Sequence, residues 1–291
     1  FAAGIDVATF EFENIDVAAI RYLAGKVPML PGAASLEVAQ DRMAEKQFVA
    51  GLGGRPAPFA AVDSRADLDA ALARIGTPAI LKTRRMGYDG KGQARIMAPE
   101  GADAAYAAIA GQSAVLEGFV HFTHEFSVIL CRGADGAKVH WPVAHNVHDG
   151  GILATSSVPA PPEIAAQAHE AIALSERIAD ALGHVGVLTV EFFAGPDGPV
   201  FNEMAPRVHN SGHWTIEGAR ASQFENHIRA VCGLPLGSTE LTAPSVRMKN
   251  LLGQDALDWA ALLADPAAHL HLYGKSQVKP GRKMGHVTWL D

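Results

Sequence analysis

The chain has two cysteines in 291 residues, Cys131 and Cys232, and neither sits in a Cys-x-x-Cys pair. That usage fits a reducing, cytoplasmic setting, with both residues read as small buried hydrophobes rather than a bridge. No run of 18 apolar residues occurs, so no membrane span is expected. Positive charge is short: 24 Lys and Arg stand against 31 Asp and Glu, a net charge of −7. Phosphate-backbone binding wants a basic face, so no nucleic-acid partner is expected, whereas one small phosphorylated ligand needs only a few basic residues. Also missing are the Gly-x-x-x-x-Gly-Lys-Ser/Thr loop, the Gly-x-Gly-x-x-Gly fingerprint, any internal repeat and any low-complexity tract. The chain opens on Phe1 without a Met or a basic-then-apolar leader and closes on Asp291 behind an apolar stretch. The expectation is a longer protein cut at both ends, or numbering that follows ordered residues.

What is present is 48% hydrophobic and 19% charged, the balance of a well-cored globular chain with room for one large domain or two to three smaller ones. Alternation predicts a strand over 5–12. A helix is expected over 35–50 with Ser35 as N-cap, and another from Ser64 to about Ile75 after a short strand at 59–62. Strands over 79–83 and 93–97 flank a glycine loop. A helix over 102–110, a strand and hinge over 115–120, and a hairpin of 124–131 with 138–145 follow. The apolar stripe Ile164, Ala168, Ala171, Ile172, Ile178, Leu182 predicts a helix over 163–182. Strands over 185–193 and 199–204 join through the turn Gly195–Gly198, and a helix is expected over 217–232. Short helices alternating with antiparallel hairpins predict an α+β, or mixed α/β, fold rather than a doubly wound sheet.

The glycine loop is the strongest local signal. Lys82 ends the apolar run Ala79-Ile80-Leu81, and Gly87, Gly90 and Gly92 follow with Lys91 among them. Backbone N–H groups approach a polyphosphate where Cβ is absent, and the lysines add point charges. Set between two strands, this loop reads as a flap over phosphates.

Glu191 and Glu203 lie on two strands joined by a four-residue turn, so they can face each other across an antiparallel pair. Adjacent carboxylates repel, and Mg²⁺ resolves the repulsion where phosphates are near, with Asn202 and Asn210 as neutral oxygens. The alternative is that one glutamate faces solvent on an edge hairpin. Arg207-Val208-His209-Asn210-Ser211-Gly212-His213-Trp214 crowds polar side chains into a non-periodic segment, the pattern of a site, with Arg207 suited to a planar anion such as bicarbonate. His140, His145 and His148 invite a zinc reading, but they lack a cysteine or acidic ligand set at familiar spacing, and a loop touching a nucleotide is the favoured reading. Lys275, Arg282 and Lys283 offer either a phosphate-monoester site or a solvated basic face.

With these residues in view, the chain resembles the ATP-grasp superfamily and, within it, the PurK-type N5-carboxyaminoimidazole ribonucleotide synthases. The matching stretches are Thr9–Asn14, Gln40-Asp41-Arg42, Lys82–Gln93, Glu117–Val120, His145–His148, Asn202–Trp214 and Pro280–His286. The resemblance implies an ATP-grasp fold whose glycine-rich N-terminal βαβ domain is largely missing. It implies residues 1–34 as the tail of that domain, 35–240 as the ATP-grasp domain with a lid-bearing subdomain at 79–120, and 241–291 as the start of a C-terminal domain. It implies ATP and Mg²⁺ as cofactors and 5-aminoimidazole ribonucleotide and bicarbonate as substrates, in a homodimer.

Implied for the nucleotide are Arg42 and Lys82 on phosphates, the loop Gly87, Tyr88, Asp89, Gly90, Lys91, Gly92 and Gln93 above them, Glu117, Gly118, Phe119 and Val120 as a hinge reading adenine through backbone groups, Glu125 on the ribose, and His148 nearby. Glu191 and Glu203, with Asn202, are implied to hold Mg²⁺. Tyr88, Asp89, Arg207, His209, Asn210, Lys275 and Arg282 are implied to bind the substrates, with Lys82, Arg207, His209 and Asn210 as catalytic residues. Another ATP-grasp purine enzyme, a formate-dependent transformylase or a ribonucleotide–glycine ligase, is the enzymatic alternative.

Overall fold

The computed structural model describes residues 2–87 and 92–291. The strand expected over 5–12 does not form. Ala8 makes one isolated bridge to Met29, and Phe10 packs with Ile20, Met29 and Leu36 in a small core of its own. A strand needs a ladder, and the neighbours here are helical: α1 (Val17–Ala24), capped by Asp16, and α2 (Ala33–Ala39). The single helix expected over 35–50 is two. α3 (Arg42–Gly51) starts afresh because the Asp41 carboxylate accepts from the N–H groups of Met43 and Ala44. Ser35 is not a cap; it is fully buried and hydrogen-bonds His184 Nδ1 at 3.0 Å.

Among the described residues the strands form two antiparallel sheets. The smaller holds β1 (Phe59–Val62), β2 (Ala79–Thr83), β3 (Gln93–Ile96) and β4 (Ala114–Gly118) in the order β1-β4-β2-β3. The helices α4 (Arg65–Ile75), capped by Ser64, and α5 (Ala102–Ala108) cover it, burying Leu68, Leu72, Leu81, Ile96 and Leu116. The glycine loop joins β2 to β3, as the sequence predicts.

The larger sheet comprises β5 (His124–Arg132), β6 (Lys138–His140), β7 (Ala144–Asp149), β8 (Ile152–Val158), β9 (Gly186–Gly195), β10 (Gly198–Ala205), β11 (Val246–Leu252), β12 (Ala268–Leu272) and β13 (Lys283–Leu290). Its order is β10-β9-β5-β7-β8-β11-β13-β12, with β6 paired to β5. The hairpin partner expected over 138–145 is split into β6 and β7, both on β5, because Pro142 between them cannot donate to a ladder. One face of β5 and β9 packs Phe126, Val128, Leu188 and Phe192 under α6 (Pro162–Ala165) and α7 (Ala168–Ala181). The alternate residues, Ile129, Cys131 and Val187, pack against Trp141, Trp214 and Ala230, the last on α9 (Gln223–Val231), which follows α8 (Thr215–Gly218). The helices expected over 163–182 and 217–232 are thus each broken in two; Ser222 caps α9 by accepting from the Glu225 N–H. No helix among the described residues is long and apolar enough to cross a membrane.

Candidate functional site

The turn at Gly195–Gly198 folds β10 back on β9 and sets Glu203 directly opposite Glu191. The register slips between Phe201 and Glu203, a bulge that breaks the two-residue alternation, so the adjacent Asn202 and Glu203 both line one cleft. Burial, and then the neighbouring Glu203 charge, push the Glu191 carboxyl up to about 8. A divalent cation would reverse that penalty. Two carboxylates and an amide oxygen suit the hard ion Mg²⁺, which binds through one or two carboxylates and completes its shell with water and phosphate oxygens. Among the described residues no group of three or more His, Cys, Asp or Glu side chains gathers as a metal cage. Of the three histidines that invited a zinc reading, His145 Nε2 lies 3.3 Å from His124 Nδ1, and His148 Nδ1 lies 2.9 Å from a Glu125 oxygen.

The cleft has two adjoining chambers, of about 520 and about 300 Å³. Arg42, Glu191, Glu203, His209, Asn210 and Lys283 line both and so form the wall between them. The smaller chamber adds Lys82, Gln93, Glu125, His148 and Asn202 together with apolar Ile80, Phe119, Leu153 and Phe193, a polar end and a flat apolar end. The larger adds Glu13, Gln40, Glu45, Gly87 and Arg207.

Each charged group is held. Arg42 donates to the carbonyls of Thr83 (3.2 Å) and Gly87 (3.4 Å) at the root of the glycine loop, with Glu203 3.7 Å away. Lys82 Nζ is 3.0 Å from Glu117 Oε2, and the buried Lys46 shares that oxygen at 3.2 Å. Burial works to raise the Glu117 carboxyl, but the two ammonium groups hold it below the usual carboxylate range. Arg207 donates through Nε (3.0 Å) to Glu13, whose same oxygen lies 2.9 Å from Arg207 Nη2. Asn210 and Asn250 exchange side-chain hydrogen bonds of 2.9 and 2.6 Å.

His209 is kept neutral: burial, then Arg207, then Lys283, drive its pKa well below 6.5. Its tautomer is set by a buried relay. Ser156 Oγ donates to Asn146 Oδ1 (2.8 Å), Asn146 Nδ2 to Ser127 Oγ (3.1 Å), and Ser127 Oγ to Ser211 Oγ (2.9 Å), which lies 2.8 Å from His209 Nδ1. The Ser211 N–H also points at Nδ1, at 3.3 Å. With Nδ1 accepting, the proton sits on Nε2, 3.5 Å from Glu191 Oε1.

Most residues singled out in the sequence converge here. Gly92 supports the loop root: its φ is +70°, and a Cβ would lie 2.6 Å from Thr83 Oγ1. Tyr88, Asp89, Gly90 and Lys91 lie outside the described residues. In the segment 117–120, the Gly118 N–H donates to Pro58 and the Phe119 N–H to Pro78, so neither is offered to a base. Lys275 and Arg282 line neither chamber; Lys275 Nζ donates to the Lys283 carbonyl (2.7 Å) and Arg282 to that of Gln277 (2.9 Å), while Lys283 reaches the dividing wall. Sequence reasoning missed Lys46, Glu45, Glu13 as the partner of Arg207, and Asn250. Glu45 and Lys46 look like an ordinary helix surface pair, and Asn250 lies in a strand with no local motif.

Comparison with known proteins places the chain in a family. Residues 47–224 match the ATP-grasp domain family, residues 247–291 the phosphoribosylaminoimidazole carboxylase C-terminal domain, and residues 1–40 the ribonucleotide synthetase preATP-grasp domain. The N5-carboxyaminoimidazole ribonucleotide synthase of Brucella melitensis is 50% identical over 99% of this chain and 80% of its own length. The crystal structure of N5-carboxyaminoimidazole ribonucleotide synthetase from Thermus thermophilus superposes with a TM-score of 0.92 at 49% identity, covering 100% of this chain and 78% of that one. The Aspergillus clavatus N5-carboxyaminoimidazole synthase, in complex with ADP and 5-aminoimidazole ribonucleotide, gives 0.93 at 29% identity, over 100% and 78% of the two chains.

Proposed function

The chain belongs to the N5-carboxyaminoimidazole ribonucleotide synthase family of ATP-grasp enzymes, and from that premise we propose how its residues couple ATP hydrolysis to carboxylation of 5-aminoimidazole ribonucleotide by bicarbonate. The observation that carries the reading is the wall of six side chains shared by two chambers, which lets a nucleotide on one side meet an acceptor on the other.

In this reading ATP takes the smaller chamber. Its base lies against Ile80, Phe119, Leu153 and Phe193, its ribose hydroxyls meet Glu125 with His148 beside it, and its phosphates meet Arg42, Lys82 and Gln93. Glu191 and Glu203, with Asn202, are the residues that hold Mg²⁺. When bound, the ion neutralises phosphate charge and polarises the γ-phosphoryl group.

Bicarbonate and the ribonucleotide take the larger chamber. Arg207, already oriented by Glu13, presents its planar fork to bicarbonate. A bicarbonate oxygen attacks the γ-phosphorus in line, the bond to the β-phosphate oxygen breaks, and carboxyphosphate and ADP form. Phosphoryl transfer asks for positioning and charge neutralisation more than for an acid or base, and Arg42 and Lys82 supply that charge. Neutral His209 offers its Nε2–H, and Asn210 sits beside it on the dividing wall. Carboxyphosphate splits to phosphate and CO₂, and the exocyclic amine of the imidazole bonds the carbon and loses a proton. Carboxyphosphate hydrolyses readily, so water must be excluded. Exclusion of water is assigned to the loop from Gly87 to Gln93, and Tyr88 and Asp89 are assigned to the substrate. Lys275 and Arg282, beside the cleft-lining Lys283, are assigned to the ribonucleotide phosphate. A homodimer belongs to the same reading, and sedimentation velocity measures it.

The test is product detection with isotopically labelled bicarbonate alongside ADP release. Label is expected in the ribonucleotide with one ADP per turnover. ADP release with formate or glycine in place of bicarbonate, and none with bicarbonate, would assign the chain to a different acceptor.

A further inference from the structure

Three contacts pin the bulge of β10. The Phe201 N–H donates to the Arg55 carbonyl at 2.9 Å. The Asn202 carbonyl accepts from Lys46 Nζ at 3.1 Å, and the Met204 N–H donates to Glu45 Oε1 at 2.6 Å. Glu45 and Lys46 are consecutive residues of α3, exposed by 2% and 1%. A bulge leaves backbone groups without ladder partners, and buried orphans cost about 1–3 kcal/mol each. Here the two residues that bracket Glu203 are satisfied by a donor and an acceptor on one helix.

We propose that Glu45 and Lys46 are positioning residues that lock this bulge, and so aim Asn202 and Glu203 together at the divalent cation. In a regular strand neighbouring side chains point to opposite faces, and a one-residue slip would turn Glu203 away from Glu191. The bulge lets both face the cleft, and its conformation is held from α3 and from the Arg55 carbonyl rather than from the sheet. Lys46 lines neither chamber, and its ammonium also supports Glu117. The inference rests on the reading of Glu191 and Glu203 as the metal pair.

The test is calorimetric titration of the full chain with the non-hydrolysable ATP analogue AMPPNP, with and without Mg²⁺. The ratio of the two affinities isolates the contribution of the metal. Glu45→Ala removes the acceptor, Glu45→Asp shortens it by one methylene as a milder change, and Glu45→Gln keeps an oxygen of equal reach. Glu45→Ala and Glu45→Asp are expected to cut the Mg²⁺-dependent gain roughly tenfold with metal-free affinity unchanged, while Glu45→Gln retains it. Lys46→Met is expected to lower both affinities, because Glu117 loses one of its two ammonium partners and draws Lys82 more strongly away from the phosphates. A wild-type gain in Glu45→Asp, or a loss in Glu45→Gln equal to that in Glu45→Ala, overturns the proposal. Glu203→Gln separates the two levels: if it keeps the full gain, the metal pair itself is misassigned. If it loses the gain and Glu45→Asp does not, the positioning role alone falls.

Discussion

Glu191 and Glu203 stand as direct cross-strand partners on β9 and β10, one buried and one open to the cleft. Such a pair is unfavourable in the free protein and useful when a cation arrives. Glu191→Gln is expected to raise the apo protein's melting temperature at neutral pH, because it removes a buried carboxyl that folding forces to take up a proton beside Glu203, with a gain of about 1 kcal/mol. The same change should lower kcat/KM roughly 10²-fold. Differential scanning calorimetry and steady-state ADP release read the two effects, and a destabilised, fully active variant would contradict both.

Glu117 balances two ammonium groups on one buried oxygen, Lys82 and Lys46. Glu117→Gln strands both charges and is expected to cost about 3–5 kcal/mol in urea unfolding. KM for ATP should rise as well, since Lys82 loses the partner that orients it.

The relay from Ser156 to His209 selects one imidazole tautomer. Ser211→Ala removes the hydroxyl at Nδ1 and is expected to lower kcat about tenfold, a loss of about 1–2 kcal/mol, with KM for ATP unchanged. Nitrogen-15 chemical shifts of His209 should report a mixture of tautomers in the variant and a single Nε2–H form in the parent.

Burial pushes His184, His213 and His227 each down to about 4. The unfolded value is near 6.5, so the folded state binds fewer protons between these limits. The stabilisation is therefore complete above about pH 6.5 and is lost as pH falls towards 4. Between pH 7 and pH 5 each histidine should withdraw about 2 kcal/mol of unfolding free energy, while Glu191, whose carboxyl is raised to about 8, shifts stability the other way. His227→Gln should remove its share of that loss, and a urea unfolding free energy that changes with pH identically in the variant and the parent would refute the assignment.

Much of the site could be read along the chain because its parts are local. The glycine loop, the strand ends at Lys82 and Glu203, and the run Arg207–Trp214 are each contiguous, so composition and spacing expose them. The hairpin that carries Glu191 and Glu203 follows from a four-residue turn, but regular register from that turn would set Asn202 opposite Glu191; the bulge brings Glu203 there instead. Helix breaks were less legible. A cap at Asp41 or Ser222 competes with an uninterrupted apolar stripe, and periodicity cannot say which wins. The strand expected over 5–12 failed for a non-local reason: among the described residues only the Ala8–Met29 bridge forms there.

Taken by itself, the amino-acid order determined the mixed architecture, the glycine-rich cationic segment and the family resemblance, since all depend on residues close in sequence. Tertiary structure alone decided that Glu45 and Lys46 reach across to β10, that Glu13 holds Arg207, that Asn250 holds Asn210, and that Lys283 rather than Lys275 or Arg282 lines the wall. These pairings join residues dozens to nearly two hundred positions apart. Nothing in either partner's local sequence marks the other; packing of α3, β10 and β13 around one cleft brings them within hydrogen-bond reach.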